Sequence, residues 1–381
     1  MHARVGALAA VLVLAACGGP SGSTHSPSPN PFATATAGAS PVTSSSPIST
    51  GPPSLAHCTT AIPAGDNLVI GTVVGDPVIV VRDIQDPANA KNLCTIDAGA
   101  ISPQFISQTS IAYETSDSKI IKADLTSGAT AVLATSQSAG PGPYAISPDG
   151  RSVTYIDGNA WHLLGPAGDK VLTTLPSVPG RGGSPDEDDT YLKFSPDGKY
   201  IALFQTYHTG GTGETAPDQI RRATDGGLVY STSGMTMAVW ASVPSRLYFR
   251  DQNGSGVHRW DASAGVSSML SIKWIRPRAS PDGRWIAYTF RTTSTLGGVG
   301  FYSVQSNSVA NTSPPGRSGV VFLTNDLVWY VGEQACSACF GGLPKPTGVA
   351  YIYSIASASE VTARLSSVFD AWPHFTAPGV G

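Results

Sequence analysis

One tetrapeptide, Ser-Pro-Asp-Gly, occurs three times, at Ser147–Gly150, Ser195–Gly198 and Ser280–Gly283. Each copy follows an apolar residue and precedes a short apolar run: RSVTYI, KYIALF or RWIAYTF. Proline presets the backbone at the second turn position, aspartate suits the third, and glycine takes the left-handed conformation that closes a type I turn with a bulge. The chain therefore contains one hairpin design written three times.

The period of that hairpin fixes the architecture. Apolar residues before or within the turn recur at Phe105, Ile146, Phe194, Trp240, Ala279, Phe322 and Phe375, with successive spacings of 41, 48, 46, 39, 43 and 53 residues. After the first six anchors comes a second strand: SIAYE, SVTYI, YIALF, RLYFR, WIAYTF or LVWYV. Third strands follow, among them KIIKAD, AWHLLG, GVHRWD, GVGFYS and VAYIYS, and a weaker fourth leads to the next anchor. Four antiparallel strands per repeat of roughly 45 residues predict propeller blades. The second strands are apolar on both faces, so each blade must be covered on both sides, as neighbouring blades would do. The expectation is an all-β, seven-bladed β-propeller. DNLVIGTVV, PVIVVRD and NLCTID lack an anchor strand, and Phe375 lacks a strand after it. The segment around Trp372 to Ala377 is therefore expected to complete the blade of residues 67 to 97 and close the ring.

Composition agrees with short strands and tight turns: 42 glycines and 30 prolines stand against 23 basic and 26 acidic residues. The near-neutral balance, without Lys/Arg clusters, speaks against nucleic-acid binding. At the N-terminus, Arg4 and the apolar stretch Val5 to Leu14 have the layout of a secretory signal, residues 1–16. Leu14-Ala15-Ala16-Cys17 resembles the lipobox of bacterial lipoproteins, which implies a diacylglyceryl group on Cys17 and an anchor on the extracytoplasmic side of the cell envelope. Each buried methylene of such a chain contributes about 0.8 kcal/mol. Residues 17–56 are the lipidated cysteine and a Ser/Thr/Pro/Ala/Gly tether with too little apolar surface to fold. The propeller is expected over 57–381.

Four cysteines remain after Cys17: Cys58, Cys94, Cys336 and Cys339. An even number in an exported chain suggests two disulfides, Cys58 with Cys94 and Cys336 with Cys339. The C-x-x-C spacing also suits a redox site or half a zinc site. It lacks the βαβ setting of the first and the second ligand pair of the second.

The pattern F-S-P-D-G-[KR]-x-[IL]-A at Phe194–Ala202, with relatives at Ile146–Thr154 and Ala279–Ala287, resembles the TolB-type propeller repeat, itself related in shape to WD repeats. The resemblance spans residues 58–381 and implies the fold. It leaves function open, because such repeats serve binding proteins, scaffolds and propeller domains of peptidases. TolB carries an α/β domain before six blades, whereas this chain has a tether and seven anchors, so TolB's Pal-binding role is not carried over.

Long segments at Pro176–Thr190, Gln205–Pro217, Arg291–Gly298 and Gly332–Thr347 fall on one face of a propeller in this register. Long loops gathered on a rigid scaffold are the usual place for binding. Two flank one blade and supply the candidate binding face: Arg181, Asp186, Glu187, Asp188 and Asp189 on one, Tyr207, His208 and Glu214 on the other. The four adjacent carboxylates read first as a solvated acidic loop, and second as a site for calcium or a basic ligand. No other metal or cofactor is expected. His162, His258 and His374, and Trp161, Trp260, Trp274, Trp285 and Trp329, read as packing residues. There is no G-x-S-x-G elbow, and no catalytic residue is assigned. The expected function is binding or scaffolding by a monomeric propeller that meets an envelope protein or cell-wall component through its loop face. The alternative is an enzyme, or a sensor of a sugar, lactone or peptide, with a pocket at the propeller axis.

Overall fold

In a computed structural model, the residues described are 55–58, 61–63, 67–86, 90–96, 100–136, 143–175, 190–205, 218–232, 235–241, 245–251, 256–272, 274–291, 296–336 and 344–373. All fall in the unit Gly51–Gly381. They form strands without helices. The first blade contains β1 (Leu55–Cys58), β2 (Leu68–Val73), β3 (Asp76–Asp83) and β4 (Lys91–Ile96). The second contains β5 (Ile101–Ser107), β6 (Ser110–Glu114), β7 (Lys119–Asp124) and β8 (Thr130–Thr135). The third contains β9 (Tyr144–Ile146), β10 (Val153–Asp157), β11 (Ala160–Gly165) and β12 (Gly168–Thr174). The fourth contains β13 (Thr190–Phe194), β14 (Tyr200–Gln205), β15 (Asp218–Arg222) and β16 (Leu228–Thr232). The fifth contains β17 (Met235–Ala241), β18 (Arg246–Asp251), β19 (Val257–Asp261) and β20 (Gly265–Leu270). The sixth contains β21 (Ile275–Ala279), β22 (Trp285–Phe290), β23 (Gly298–Ser303) and β24 (Ser308–Thr312). The seventh contains β25 (Arg317–Phe322), β26 (Leu327–Gln334), β27 (Lys345–Ser354) and β28 (Ser359–Ala363), and β29 (Leu365–Trp372) follows. Each sheet is an antiparallel meander, and together they form a seven-bladed propeller.

The three Ser-Pro-Asp-Gly turns are built alike. The glycines sit at φ +67°, +67° and +65°, and each glycine N–H donates to the serine carbonyl at 2.8–2.9 Å. The serines are buried and their hydroxyls work twice. Each donates to the turn aspartate, at 2.6 Å in Ser147, 2.7 Å in Ser195 and 2.6 Å in Ser280. Each also accepts the N–H of the second residue after the turn glycine, from Ser152, Tyr200 and Trp285, at 2.8–3.0 Å. Ser280→Ala removes both bonds and leaves a buried N–H without its partner, so a loss of about 1–3 kcal/mol is expected. A urea midpoint unchanged from wild type would show the network to be dispensable.

Both faces of the second strands are consumed, one by each neighbouring blade. Ile201 and Leu203 pack with Trp161 of the third blade, while Ala202 packs with Trp240 and Trp260 of the fifth. Leu68 and Ile70 meet Phe105 and Tyr113 of the second blade, and Val69 between them meets Trp329 of the seventh. Among the described residues the buried apolar side chains divide into seven clusters, one for each blade interface. Trp161, Trp260, Trp274, Trp285 and Trp329 all lie in them, as packing residues.

The ring closes as expected in kind and not in position. β29 pairs with β2, Leu68 opposite Trp372 and Val73 opposite Leu365, so the closing strand lies upstream of the Trp372–Ala377 segment. Its anchor is Trp372, which packs against Phe105 with ring centroids 6.3 Å apart. Phe375 lies outside the described residues. A second difference concerns Gly332–Thr347: β26 and β27 continue into it, with Glu333 opposite Pro346 and Gln334 opposite Lys345, so its two ends are hairpin and not irregular loop.

β1 adds a fifth strand to the first blade, with Cys58 opposite Cys94 and a disulfide joining them. Cys336 is also disulfide-bonded, to a partner outside the described residues.

Carboxylates hold several blades together across their strands. On the seventh, Arg317 of β25 forks onto Glu360 of β28 and lies 4.0 Å over the Tyr351 ring, while the Tyr330 hydroxyl donates to Glu360 at 2.6 Å. Burial works to raise Glu360, but Arg317 and Tyr330 outweigh it and hold the carboxyl below its usual range. Asp197 is likewise depressed, burial being outweighed by the Ser195 and Ser245 hydroxyls and the Lys199 N–H. Depressed folded values mean stability that is present above the unfolded carboxylate pKa of ~4 and lost as pH falls through the folded values. The urea midpoint is therefore expected to hold from pH 7 to 5 and fall below pH 4. A midpoint that rises on acidification would contradict this sign.

Candidate functional site

The inner strands carry a feature that recurs at one level of the ring. In β5, β17, β21, β25 and β29 the ladder is interrupted by a bulge three residues before the anchor. The residues there are Ser102, Met237, Arg276, Gly319 and Phe369. Four of them are left-handed: Ser102 at φ 49°, Met237 at 48°, Arg276 at 48° and Gly319 at 68°. Three of these four bear side chains in a conformation that costs roughly 1–2 kcal/mol. Bulges of this kind re-aim side chains and are over-represented at barrel rims and beside active sites.

Their immediate use is to link blades. The left-handed turn presents the Ser102 carbonyl to the Tyr144 hydroxyl of the next blade at 2.8 Å, and the Met237 carbonyl to Trp274 Nε1 at 3.1 Å. The Arg276 N–H approaches Met237 Sδ at 3.5 Å, so bulge residues of adjacent blades touch. Ser102→Gly keeps this carbonyl while relieving the strained φ, so an unchanged or modestly raised melting temperature is expected, by about 0.5–1 kcal/mol. A clear fall would mean that the serine side chain itself holds the bulge.

Other polar groups complete the inner ring. Phe105 N–H donates to Asp370 Oδ2 at 2.6 Å, and Met235 N–H donates to the buried Asp218 at 2.6 Å. Tyr144 lies between Gln104, Glu114 and Asp370; burial, with the two carboxylates, holds its hydroxyl far above the usual phenol range. Between the sixth and seventh blades, Glu333 accepts the Ser318 hydroxyl at 2.6 Å and lies 3.6 Å from Arg291. Its Oε2 is buried without a hydrogen-bond partner.

Phe369 is 46% exposed. Its neighbours Val368 and Ala371 pack toward the seventh blade, and Trp372 packs toward the second. The remaining open side of an innermost strand is the axis.

The expected binding-face residues Arg181, Asp186, Glu187, Asp188, Asp189, Tyr207, His208 and Glu214 lie outside the described residues, as do Cys17 and Cys339. The strands that flank their segments are described. The segments join β12 to β13 and β14 to β15, and the other two long segments join β22 to β23 and β26 to β27. All four connections leave the ring at the end where the inner strands begin, which is also the half of those strands that carries the bulges. His162 serves packing, stacked on Tyr155 at 4.8 Å with Nδ1 3.0 Å from Asp169. Among the described residues no group of His, Cys, Asp or Glu is arranged to hold a metal ion. The bulge ring went unnoticed in the sequence, because only Gly319 marks its position with a glycine.

The fold defines the class, a seven-bladed propeller, and solved structures are similar to it in fold. A structure of prolyl endopeptidases is similar with TM-score 0.52 and 13% identity over 78% of this chain and 49% of that one, so this chain spans about half its length. Oligogalacturonate lyase from Vibrio parahaemolyticus is similar with TM-score 0.51 and 11% identity, over 78% of this chain and 84% of that one. TolB from Acinetobacter baumannii gives TM-score 0.41 and 18% identity, over 68% and 65%. No protein-family model and no curated protein matches the chain. At these identities the likeness concerns the fold alone.

Proposed function

We propose that this chain is a lipid-anchored binding or scaffold module of the bacterial cell envelope. It acts as a monomeric propeller, with its partner, an envelope protein or a cell-wall component, docked on the loop end of the ring. The observation that supports this reading most is topological: every long connection leaves at the end where the inner strands begin. The opposite end is made of short turns bonded to one another, with Asp282 N–H on Asn325 of the next blade at 2.8 Å. Cys17 acylation and the tether up to residue 56 would hold the domain off the membrane, within a contour of about 130 Å.

The test is a crosslinking pull-down from native membranes with the Cys17→Ser domain as bait, beside a bait whose 181–189 and 205–217 segments are Gly/Ser. A partner captured by the first bait and lost with the second supports docking at the loop end. Capture of the same set by both baits contradicts it. Wild-type chain should partition with membranes and Cys17→Ser should not; equal partition would remove the anchor from this account.

A further inference from the structure

The first sheet has five strands, and the other six have four. A fourth strand is thus the outer edge of a complete blade six times over, and β1 is added to a blade that already has its four. Its pairing decides where the chain enters the ring. At the loop end Val73 stands opposite Leu365, the first residue of an inner strand, and one step along the blade Thr72 stands opposite Ile79 and Ile79 opposite Ile96. Leu55 stands opposite Ile96, so β1 starts at the loop end and runs toward the short turns. β2 runs the other way, starting with Leu68 opposite Trp372 at the turn end. The chain before Leu55 therefore reaches the domain at the end that carries the long connections, although the next strand begins at the opposite end.

The disulfide is what makes this entry secure. β1 has four residues, its register shifts between Leu55 and His57, and it pairs along one side only. So short an edge strand opens locally at little cost unless something else ties it down. The Cys58–Cys94 bond ties its far end to β4. Downstream of β1 the next fixed points are Ile62, packed against the core between the first two blades, and Pro63, whose carbonyl accepts Gln108 Nε2 at 2.6 Å. Gln108 lies in the turn between β5 and β6, at the turn end. With β1 released, the chain would leave the domain there, on the opposite end of the propeller.

We propose that β1 is a thiol-sensitive strap: the Cys58–Cys94 disulfide keeps the entry of the chain at the loop end, and reduction by a dithiol moves it to Ile62 and Pro63 at the turn end. Cys58 is part-buried and Cys94 is 1% exposed, so the attacking thiolate bonds to the Cys58 sulfur and Cys94 departs as a thiolate that takes up a proton. The second thiol of the reductant then displaces Cys58. The dithiol loses two electrons and two protons and becomes a disulfide, and the two cysteines become thiols. The use of the strap rests on the anchored reading above, in which it places the docking end beside the tether. Its existence does not, and the test leaves the anchor out.

The Cys17→Ser chain is compared oxidised, treated with dithiothreitol, and with Cys58→Ser added. That substitution leaves Cys94 in the core as a thiol and spares Cys336, so agreement between the last two samples assigns the effect to this disulfide. Amides of residues 55–58 are expected to lose protection at least ~10-fold in both, while β2, β3 and β4 keep theirs. Spin labels on unnatural residues at position 54 and at exposed Val74 of the loop end, or at exposed Gln85 of the turn end, report the entry point. The 54–74 distance should be the shorter in the oxidised chain and lose that order in the other two. Protection of 55–58 that survives both treatments would mean that the ladder holds β1 without the disulfide. Joint loss of protection in β2 to β4 would make β1 part of the blade core. Either result, or a 54–85 distance that is the shorter in the oxidised chain, overturns the proposal, whatever the membrane partition and pull-down show.

Discussion

A chain ending at Arg364 is expected to lose the fold altogether. The truncation removes β29, and with it Leu365, Val368 and Ala371 from the interface with the seventh blade and Trp372 from the interface with the second. It also strips the ladder from β2, whose Leu68, Val69 and Ile70 are 0–1% exposed in the closed ring. Burying a Val or Leu side chain contributes about 1.5–3 kcal/mol, so the loss on both sides of one strand reaches the whole stability of an ordinary domain, roughly 5–15 kcal/mol. An open ring would also expose a strand edge that invites aggregation. Circular dichroism and gel filtration of the truncated chain should show an unfolded or aggregated species. A cooperative melt within a few degrees of wild type would mean that the first blade stands without its inner strand.

Trp161→Ala is the largest single substitution effect expected, about 3–5 kcal/mol. Trp161 is fully buried where the third blade meets the fourth, among Leu192, Phe194 and Ile201. Its Nε1 donates to Thr154 Oγ1 at 2.7 Å, and that hydroxyl donates to the His162 carbonyl at 2.8 Å. Truncation therefore opens a cavity and breaks a buried chain of hydrogen bonds together. Trp161→Phe separates the two: it keeps most of the volume and should cost only the hydrogen bond, about 1 kcal/mol, with part of the cavity term. Chemical denaturation of both variants checks the ordering. If alanine costs less than phenylalanine, the interface is not packed as described.

The parts of this architecture that could be read in the sequence are those with local chemistry. A Ser-Pro-Asp-Gly turn declares itself because proline, aspartate and glycine each meet a backbone demand within four residues. Tyr200–Phe204 declares a two-sided blade because its apolar residues do not alternate with polar ones. Where no turn follows, the signal fades. The closing strand has no hairpin after it to mark its end, so Phe375 matched the anchor pattern by type, while Leu68 selects Trp372 by pairing. β1 is four residues long, and only the cysteine pairing hinted that it lies against β4. The bulge ring depends on non-local strand register. Ser102, Met237 and Arg276 carry no left-handed signature, and their common place three residues before the anchor emerges only when the strands are paired.

Closure of the ring by β29 underlies both the fold and the place of Phe369 at the register of the other bulge residues. Native-state amide exchange resolved along the chain tests it most directly. Amides of residues 365–372 are expected to exchange as slowly as those of the inner strands β17 and β25, through the global unfolding event. Exchange of 365–372 at rates near those of an unstructured segment, with the other inner strands still protected, would contradict it.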